Sequence, residues 1–161
     1  MELMLKIYSK DIPVNDPLYN YFQTAAGENG QIDPDECRAL LTAGYGSEFT
    51  MVSCIAMIQM FDIDQSGAME FQEMKYMLNE IHQWHNSFTA ADHDGNGRLN
   101  ANELQKALAG FDYNPSAEVL NVIVLKYPIL DFGEFIAICT KLRISYGVLS
   151  DHQLIRVIKS A

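Results

Sequence analysis

Two twelve-residue stretches rich in carboxylates and glycine constrain the fold of this chain more than any other feature, and they lie thirty residues apart. The first runs from Asp62 to Glu73 and the second from Asp92 to Glu103. In each, oxygen-bearing side chains occupy positions 1, 3, 5 and 9, glycine occupies position 6 and glutamate position 12. This spacing is typical of a loop that connects two helices and wraps around a calcium ion, which prefers six to eight oxygen ligands.

Each loop contains a full set of candidate calcium ligands. The side chains at positions 1, 3, 5, 9 and 12 and the backbone carbonyl at position 7 provide oxygen, and glycine permits the sharp turn. The candidates in the first loop are Asp62, Asp64, Ser66, Ala68, Glu70 and Glu73. Those in the second loop are Asp92, Asp94, Asn96, Arg98, Asn100 and Glu103. Because an ordinary acidic surface would not match every special position twice, we predict two calcium sites.

Composition excludes several classes of protein. The formal net charge of −10 argues against direct binding of nucleic acid, which requires clustered lysine and arginine. Apolar residues make up 48%, but no apolar run approaches the roughly 20 residues of a membrane span. Met1–Ile7 lacks the basic start and cleavage site of a secretory signal. Three widely separated cysteines, Cys37, Cys54 and Cys139, are typical of reduced core residues in an intracellular protein. We therefore expect a cytoplasmic protein.

Catalytic motifs are missing from the sequence. It contains no nucleophile elbow, no phosphate-binding glycine loop and no supported Cys–His arrangement. Protein oxygens would saturate both predicted calcium sites and leave little room for a substrate. We do not expect an enzyme.

Capping residues and apolar periodicity predict helices before the first loop. Asp16-Pro17 favours a helix from about Pro17 to Thr24, since aspartate caps helices and proline is tolerated in the first turn. Asp33-Pro34 repeats this signal and begins a helix that ends near Gly44. A third helix begins at Thr50 and leads into the Asp62 loop. Its predicted apolar face consists of Val52, Ile55, Ile58 and Phe61.

No glycine or proline interrupts the stretch from Glu70 to Ala91, and apolar residues recur there at helical spacing. We predict a single helix roughly 33 Å long, at 1.5 Å per residue. This helix would begin at the end of the Asp62 loop and end at the start of the Asp92 loop. Two loops that pair face to face need separate helices, so each loop is expected to pair with a different partner.

Candidate partners lie on both sides of the two loops. Upstream, Ala26–Glu36 lies between two predicted helices, and Ile32 would form a short strand with Met69. Downstream, Asn114-Pro115 is predicted to cap a helix that ends before Pro128, Ile129–Phe132 to form a short strand, and Phe132–Ser145 to form a helix. Leu99 would pair with Leu130. A fifth unit combines a strand remnant at Gly147–Leu149 with a helix from Ser150 through Lys159.

The chain resembles the penta-EF-hand family in three features. It has five helix–loop–helix units, an eleven-residue loop, Ala26–Glu36, that begins with Ala-Gly, and one helix shared between two loops. The segments that carry the resemblance are Ala26–Glu36, Phe61–Glu73, Phe88–Leu108 and Phe135–Arg143. The resemblance implies an all-α fold of about eight helices, with short two-stranded pairings between loops. It divides the chain into an N-terminal segment, 1–15, and one domain, 16–161, with EF hands near 17–44, 50–80, 70–110, 115–145 and 133–160.

The resemblance also implies ligands in the first hand. They would be the carbonyl of Ala26, the side chain of Asn29, the carbonyl of Gln31, and Glu36. The family usually has aspartate where Asn29 stands, so this site loses a negative charge. Two interpretations stay open: a third, weaker calcium site, or a structural loop without metal. The resemblance implies a homodimer that forms through the fifth hand. The fourth connection and the fifth hand are shorter than the family pattern, so two interpretations stay open: Val148 and Leu149 pair with their copies in a second chain, or they cover the core of their own chain.

These features favour a calcium sensor or adaptor. Calcium would change the conformation of the protein and expose apolar surface. This surface would bind protein partners or membranes, and the protein would move from the cytoplasm to membranes when calcium binds. The alternatives are a calcium buffer or storage protein, and a non-catalytic regulatory subunit of a calcium-dependent protease. Six methionines lie near the Asp62 loop in the sequence: Met51, Met57, Met60, Met69, Met74 and Met77. They either line a groove that binds a partner or belong to the ordinary hydrophobic core.

Overall fold

The computed structural model describes residues 17–111, 113–145 and 158–159. Within these residues the regular structure is helical, which confirms the predicted all-α fold class. The α-helices are α1 Pro17–Ala26, α2 Pro34–Tyr45, α3 Met51–Phe61, α4 Phe71–Ala91, α5 Ala101–Ala109, α6 Ala117–Lys126 and α7 Phe132–Ser145. A short 3-10 turn, Gly27–Asn29, follows α1. The predicted N-terminal segment 1–15 and most of the predicted fifth hand lie outside the described residues, although residues 158–159 are helical.

Side-chain caps explain where the helices begin. Asp33 accepts a hydrogen bond from the N–H of Glu36 (2.8 Å) and Glu36 accepts one from the N–H of Asp33 (2.9 Å), which forms a capping box at the start of α2. Thr50 caps α3 in the predicted place. The predicted Asn114-Pro115 cap is wrong: Ser116 caps α6 by accepting a hydrogen bond from the N–H of Val119.

The chain divides into two compact units, the first of which comprises residues 17–46 and Thr50–Glu80. Its loops meet at Ile32 and Met69, which exchange two backbone hydrogen bonds of 2.8 and 2.9 Å. This confirms the predicted pairing, although it is an isolated bridge rather than two strands. Four of the clustered methionines are completely buried, which supports the core interpretation: Met57, Met69, Met74 and Met77.

The predicted apolar face of α3 is wrong in part. Ile58 and Phe61 are buried as expected, but Val52 is 59% exposed and Ile55 is 40% exposed. The buried face instead includes Cys54 and Met57. α3 is apolar nearly all round, so periodicity in the sequence could not identify which of two apolar stripes faces the core.

The second unit comprises Ser47–Phe49 and the described residues from Ile81 onward. The ring of Phe132 packs edge-on against His85 (4.8 Å between centroids), Phe88 (5.5 Å) and Phe49 (6.1 Å). Trp84, which lies on the same helix as Phe88, is buried in this core.

The pairing predicted between Leu99 and Leu130 is present as one backbone hydrogen bond, from the Leu99 N–H to the Leu130 carbonyl at 2.9 Å. The predicted strand Ile129–Phe132 does not form, because Phe132 already begins α7. The Lys126 ammonium donates a hydrogen bond to the carbonyl of Ile158 and so joins α6 to the helical residues 158–159. No helix among the described residues is long and apolar enough to cross a bilayer.

Glycine is required at position 133 because the backbone of Glu48 lies too close to leave room for a side chain. A Cβ atom at this position would lie 2.0 Å from the carbonyl oxygen of Glu48. Gly133→Ala is therefore expected to lower the free energy of unfolding by about 1–3 kcal/mol, since the backbone of Ser47–Phe49 must shift. Urea unfolding followed by circular dichroism measures this change.

Gly44→Ala is the matched control. A Cβ atom there would make an ordinary 4.0 Å contact with the Tyr21 hydroxyl, and alanine favours the helical backbone by roughly 0.5–1 kcal/mol. Equal stability of the two variants would contradict the close approach at Gly133.

Candidate metal centre

The Asp62 loop is held in shape by hydrogen bonds from its own backbone to two carboxylates. Asp62 accepts from the N–H groups of Gly67 (2.7 Å) and Ser66 (3.0 Å), and Asp64 accepts from Ser66 as well (3.0 Å). Gly67 has φ +83°, a left-handed conformation that glycine adopts without strain. These bonds turn the Asp62 and Asp64 carboxylates toward the inside of the loop. The hydrogen bonds, chiefly those with Ser66, lower the pKa of Asp64 and favour its charged form.

Glu73 closes this loop from the first turn of α4. One of its carboxylate oxygens accepts from the N–H of Ile63 and the other from the N–H of Glu70, both at 2.9 Å. Glu73 is 4% exposed, and burial raises the pKa of its carboxyl group. Oxygen atoms of Asp62, Asp64 and Glu73 all lie within 4.8 Å of one another. Three convergent carboxylates without nitrogen or sulfur donors suit a hard cation such as calcium.

The Asp92 loop repeats this construction. Asp92 accepts from the N–H groups of Gly97 (2.9 Å) and Asn96 (3.2 Å). Glu103 accepts from the N–H groups of His93 (3.2 Å) and Asn100 (3.0 Å). Asp92, Asp94 and Glu103 form the second group of carboxylates whose oxygens lie within 4.8 Å of one another. Both acidic clusters found among the described residues therefore consist entirely of residues predicted from the sequence.

The remaining predicted ligands of the two strong loops lie beside these clusters. At position 5, the Ser66 hydroxyl donates to the Ala68 carbonyl (2.7 Å), and the Asn96 side chain accepts from the N–H of Arg98 (2.7 Å). At position 9, the Asn100 side chain caps α5 by accepting from the N–H of Glu103 (3.0 Å), whereas Glu70 is exposed. All of these residues lie in the loops, and their binding of the ion stays a prediction.

The second half of the Ala26–Glu36 loop has the same hydrogen bonds as the Asp62 and Asp92 loops. Counted back from its last residue, Asn29 occupies the place of Ser66 and Asn96, and it accepts from the N–H of Gln31 (3.0 Å) as they accept from Ala68 and Arg98. Glu36 accepts from the N–H of Asp33, just as Glu73 and Glu103 accept from the residues three before them. Residues 29–36 thus follow the pattern of 66–73 and 96–103.

The beginning of the Ala26–Glu36 loop differs from the beginning of the Asp62 and Asp92 loops. Ala26 is buried at the end of α1, and the 3-10 turn Gly27–Asn29 replaces the segment that holds two aspartates in the other loops. Of the predicted ligands, Glu36 is the one carboxylate. This ligand set therefore has fewer negative charges than the ligand sets of the other two loops, and whether it binds calcium stays a prediction.

Sequence reasoning missed the backbone N–H groups of Ile63 and His93. They hold the glutamates at position 12 and so join the two ends of each loop. Because every residue except proline provides this N–H, side-chain identity at position 2 carries almost no signal.

Comparisons with known proteins agree with this geometry. The EF hand family model matches residues 86–109, which contain the whole Asp92 loop. Human sorcin is 38% identical over 135 residues, which cover 80% of this chain and 68% of sorcin. The chain belongs to the penta-EF-hand family. Within the family, human grancalcin is 33% identical over 80% of this chain and 62% of its own length, and mouse peflin is 32% identical over 83% and 52%.

A solved structure supports the fold of this penta-EF-hand chain. A homolog of programmed cell death 6 protein from Leishmania major Friedlin superposes with a TM-score of 0.63 at 22% identity and covers 89% of this chain and 94% of its own. Family membership and the two carboxylate clusters together identify a calcium-binding EF-hand protein.

Glu73→Gln and Glu103→Gln are expected to weaken calcium binding at their own loops on the order of tenfold or more, equivalent to about 1.4 kcal/mol or more. Glutamine can still accept a backbone hydrogen bond, but it is a poor bidentate ligand and lacks the charge. Isothermal titration calorimetry of each variant measures the loss.

Glu118→Gln is the matched control, because it removes one exposed carboxylate in the first turn of α6, outside both loops in the sequence. The control should bind calcium like the parent chain. Unchanged calorimetric titrations in both loop variants would contradict the ligand assignment.

Proposed function

We propose that this chain is a non-enzymatic calcium sensor or adaptor, which binds calcium and then engages protein partners through newly exposed apolar surface. The observation that carries the proposal is the position of α4. Glu73 lies in the first turn of this helix, and Asp92 directly follows its last residue, Ala91. One helix therefore carries the closing glutamate of one loop and leads to the first aspartate of the next.

Hydrogen bonding at the two glutamates supports a change of conformation. Each oxygen of Glu73 accepts a backbone N–H, as does each oxygen of Glu103. Calcium bound by both oxygens of such a glutamate would compete with these N–H groups for the same oxygen atoms. Since these residues lie at the starts of α4 and α5, a movement of either carboxylate acts directly on a helix. In sensor EF hands such a movement opens the helix pair and exposes apolar side chains.

Apolar side chains that could respond are present in the first unit. Val52 and Ile55 are already exposed on α3, and Ile63 in the Asp62 loop is 54% exposed. The same unit contains the fully buried methionines Met57 and Met74, whose flexible side chains suit adaptable contacts. An opening of this unit would join the two sets into a larger apolar surface.

The proposed partners are calcium-dependent protein targets and, as a second arm of the test, membrane surfaces. We place the protein in the cytoplasm, from which calcium would move it to membranes. Homodimerisation through the C-terminal hand belongs to the same proposal, but that hand lies largely outside the described residues. The buffer and protease-subunit alternatives differ in their requirements: a buffer needs no new apolar surface, and a subunit needs a tightly bound protease chain.

The proposal predicts that calcium increases apolar exposure. Amide hydrogen exchange and the fluorescence of an apolar dye would be compared in a chelator and in saturating calcium, with Glu73→Gln/Glu103→Gln as the control that binds calcium weakly. We expect faster exchange in α3 and brighter dye with the parent chain, and little change with the control. Calcium binding by calorimetry without any change in dye or exchange would support the buffer and overturn the sensor.

A calcium-dependent pull-down from extract of the protein's own cells extends this test to partners, with a chelator wash as the control. Vesicles of neutral and of anionic lipid, sedimented with and without calcium, form the membrane arm. A protease chain retained in both calcium and chelator would instead favour the regulatory-subunit alternative.

A further inference from the structure

Two lysines of the second unit converge on the same backbone carbonyl. Lys126 is the last residue of α6, Lys141 lies on α7, and both side chains are half-buried. The Lys126 ammonium donates a hydrogen bond to the Ile158 carbonyl, and the Lys141 ammonium donates a longer one, 3.5 Å, to the same oxygen. Two positive charges therefore lie close together around one neutral acceptor.

Tyr127 contacts both lysines. The centroid of its ring lies 5.8 Å from the Lys126 nitrogen and 5.9 Å from the Lys141 nitrogen. Its hydroxyl accepts a hydrogen bond from the Lys141 ammonium at 3.2 Å. Because a hydroxyl can donate as well as accept, it keeps a hydrogen bond with Lys141 when that amine loses its proton.

The charges around the two lysines do not balance. Glu134, also on α7, interacts electrostatically with both of them, while burial and the charge of Asp131 raise the pKa of its carboxyl group. One carboxylate thus faces two ammonium groups. Burial and the charge of Lys126 lower the pKa of Lys141 to about 8, against the opposite influence of Glu134. Lys141 therefore reaches its neutral, nucleophilic form at a lower pH than an ordinary lysine.

We propose that Lys141 is a modification site, at which the side-chain amine accepts an acyl group from an acyl thioester. The nitrogen attacks the carbonyl carbon of the thioester, the carbon–sulfur bond breaks, and an amide bond forms. The nitrogen loses one proton and the departing sulfur gains one, so the products are an acylated lysine and a free thiol. No oxidant or reductant takes part.

The neighbours of Lys141 suit both the reaction and its product. As the nitrogen attacks, negative charge develops on the thioester oxygen, and the Tyr127 hydroxyl and the Lys126 ammonium are nearby donors that stabilise such charge. The amide product carries no charge, so Lys126 and Glu134 remain as one cation and one anion. The amide N–H can still donate to the Ile158 carbonyl. Acylation thus replaces a charged contact between α7 and residues 158–159 by a neutral one.

The test incubates the full chain with acetyl-coenzyme A from about pH 7 to about pH 10 and measures the acetylation rate of each lysine by peptide mass spectrometry. At about pH 8, roughly half of an amine with the pKa of Lys141 is neutral, against less than about 1% of an ordinary lysine. Half-burial and lower basicity offset part of this advantage. We expect Lys141 to react on the order of tenfold faster than Lys106, which is exposed on α5.

The pH profile is a readout that accessibility alone would not change. The rate at Lys141 is expected to level off above about pH 9, when its amine is almost fully neutral, whereas an ordinary lysine continues to accelerate to about pH 10. The same incubation in enough urea to unfold the chain is expected to abolish the difference between Lys141 and Lys106, since the two lysines no longer meet at Ile158.

Lys126→Met removes the neighbouring charge and keeps an apolar side chain of similar length. It is expected to raise the pKa of Lys141 and to lower the acetylation rate there severalfold at about pH 8. Lys126→Arg is the matched control, because it keeps the positive charge and should react like the parent chain. Circular dichroism establishes that each variant is folded.

Equal rates at Lys141 and Lys106 in the folded chain would overturn the proposal, and so would a preference for Lys141 that persists in urea. An unchanged pH profile of Lys141 in folded Lys126→Met would show that the pair of lysines does not activate the amine. If that variant does not fold, the parent chain decides alone: a Lys141 rate that rises in parallel with that of Lys106 to about pH 10 would contradict the proposal.

Discussion

The interaction on which the site depends is the pair of hydrogen bonds that each loop-closing glutamate accepts from the backbone. Glu73 and Glu103 each bridge the N–H at position 2 and the N–H at position 9, so one buried carboxylate joins both ends of a twelve-residue loop. Without these bonds, a charged group that is only 4–6% exposed would be costly to bury. The same two glutamates lie in the first turns of α4 and α5, and this links the closing of each loop to the position of a helix.

Local chemistry made much of the fold and of the candidate site predictable. Glycine at position 6 and aspartate at positions 1 and 3 act within one turn of chain, so the sequence pattern identifies the loop that forms. Capping residues such as Asp33 and Thr50 likewise act within three residues and locate helix starts. The pairing of Ile32 with Met69 followed from counting back from Glu36 and Glu73, because two loops that end alike align their central residues.

Long-range packing accounts for what the sequence did not reveal. Val52 and Ile55 lie on an apolar helix, and only the position of its neighbours determines which stripe is buried. Cys37 and Cys54 lie on α2 and α3, which pack against each other, and no spacing rule for cysteine predicts that packing. The strand predicted at Ile129–Phe132 failed because Asp131 caps α7 by accepting from the N–H of Glu134, which favours a helix start over an extended segment. In each case a tertiary contact or a competing cap outweighed the local pattern.

The central claim is that both acidic loops close around calcium, and the amide protons of Gly67 and Gly97 test it most directly. Each amide donates to the first aspartate of its loop, at 2.7 and 2.9 Å, so an ion bound to that carboxylate must alter the amide's electronic surroundings. A calcium titration to about 1 mM, followed by NMR of the labelled chain, is predicted to shift both glycine resonances to saturation. Either resonance remaining at its calcium-free position throughout would contradict the account.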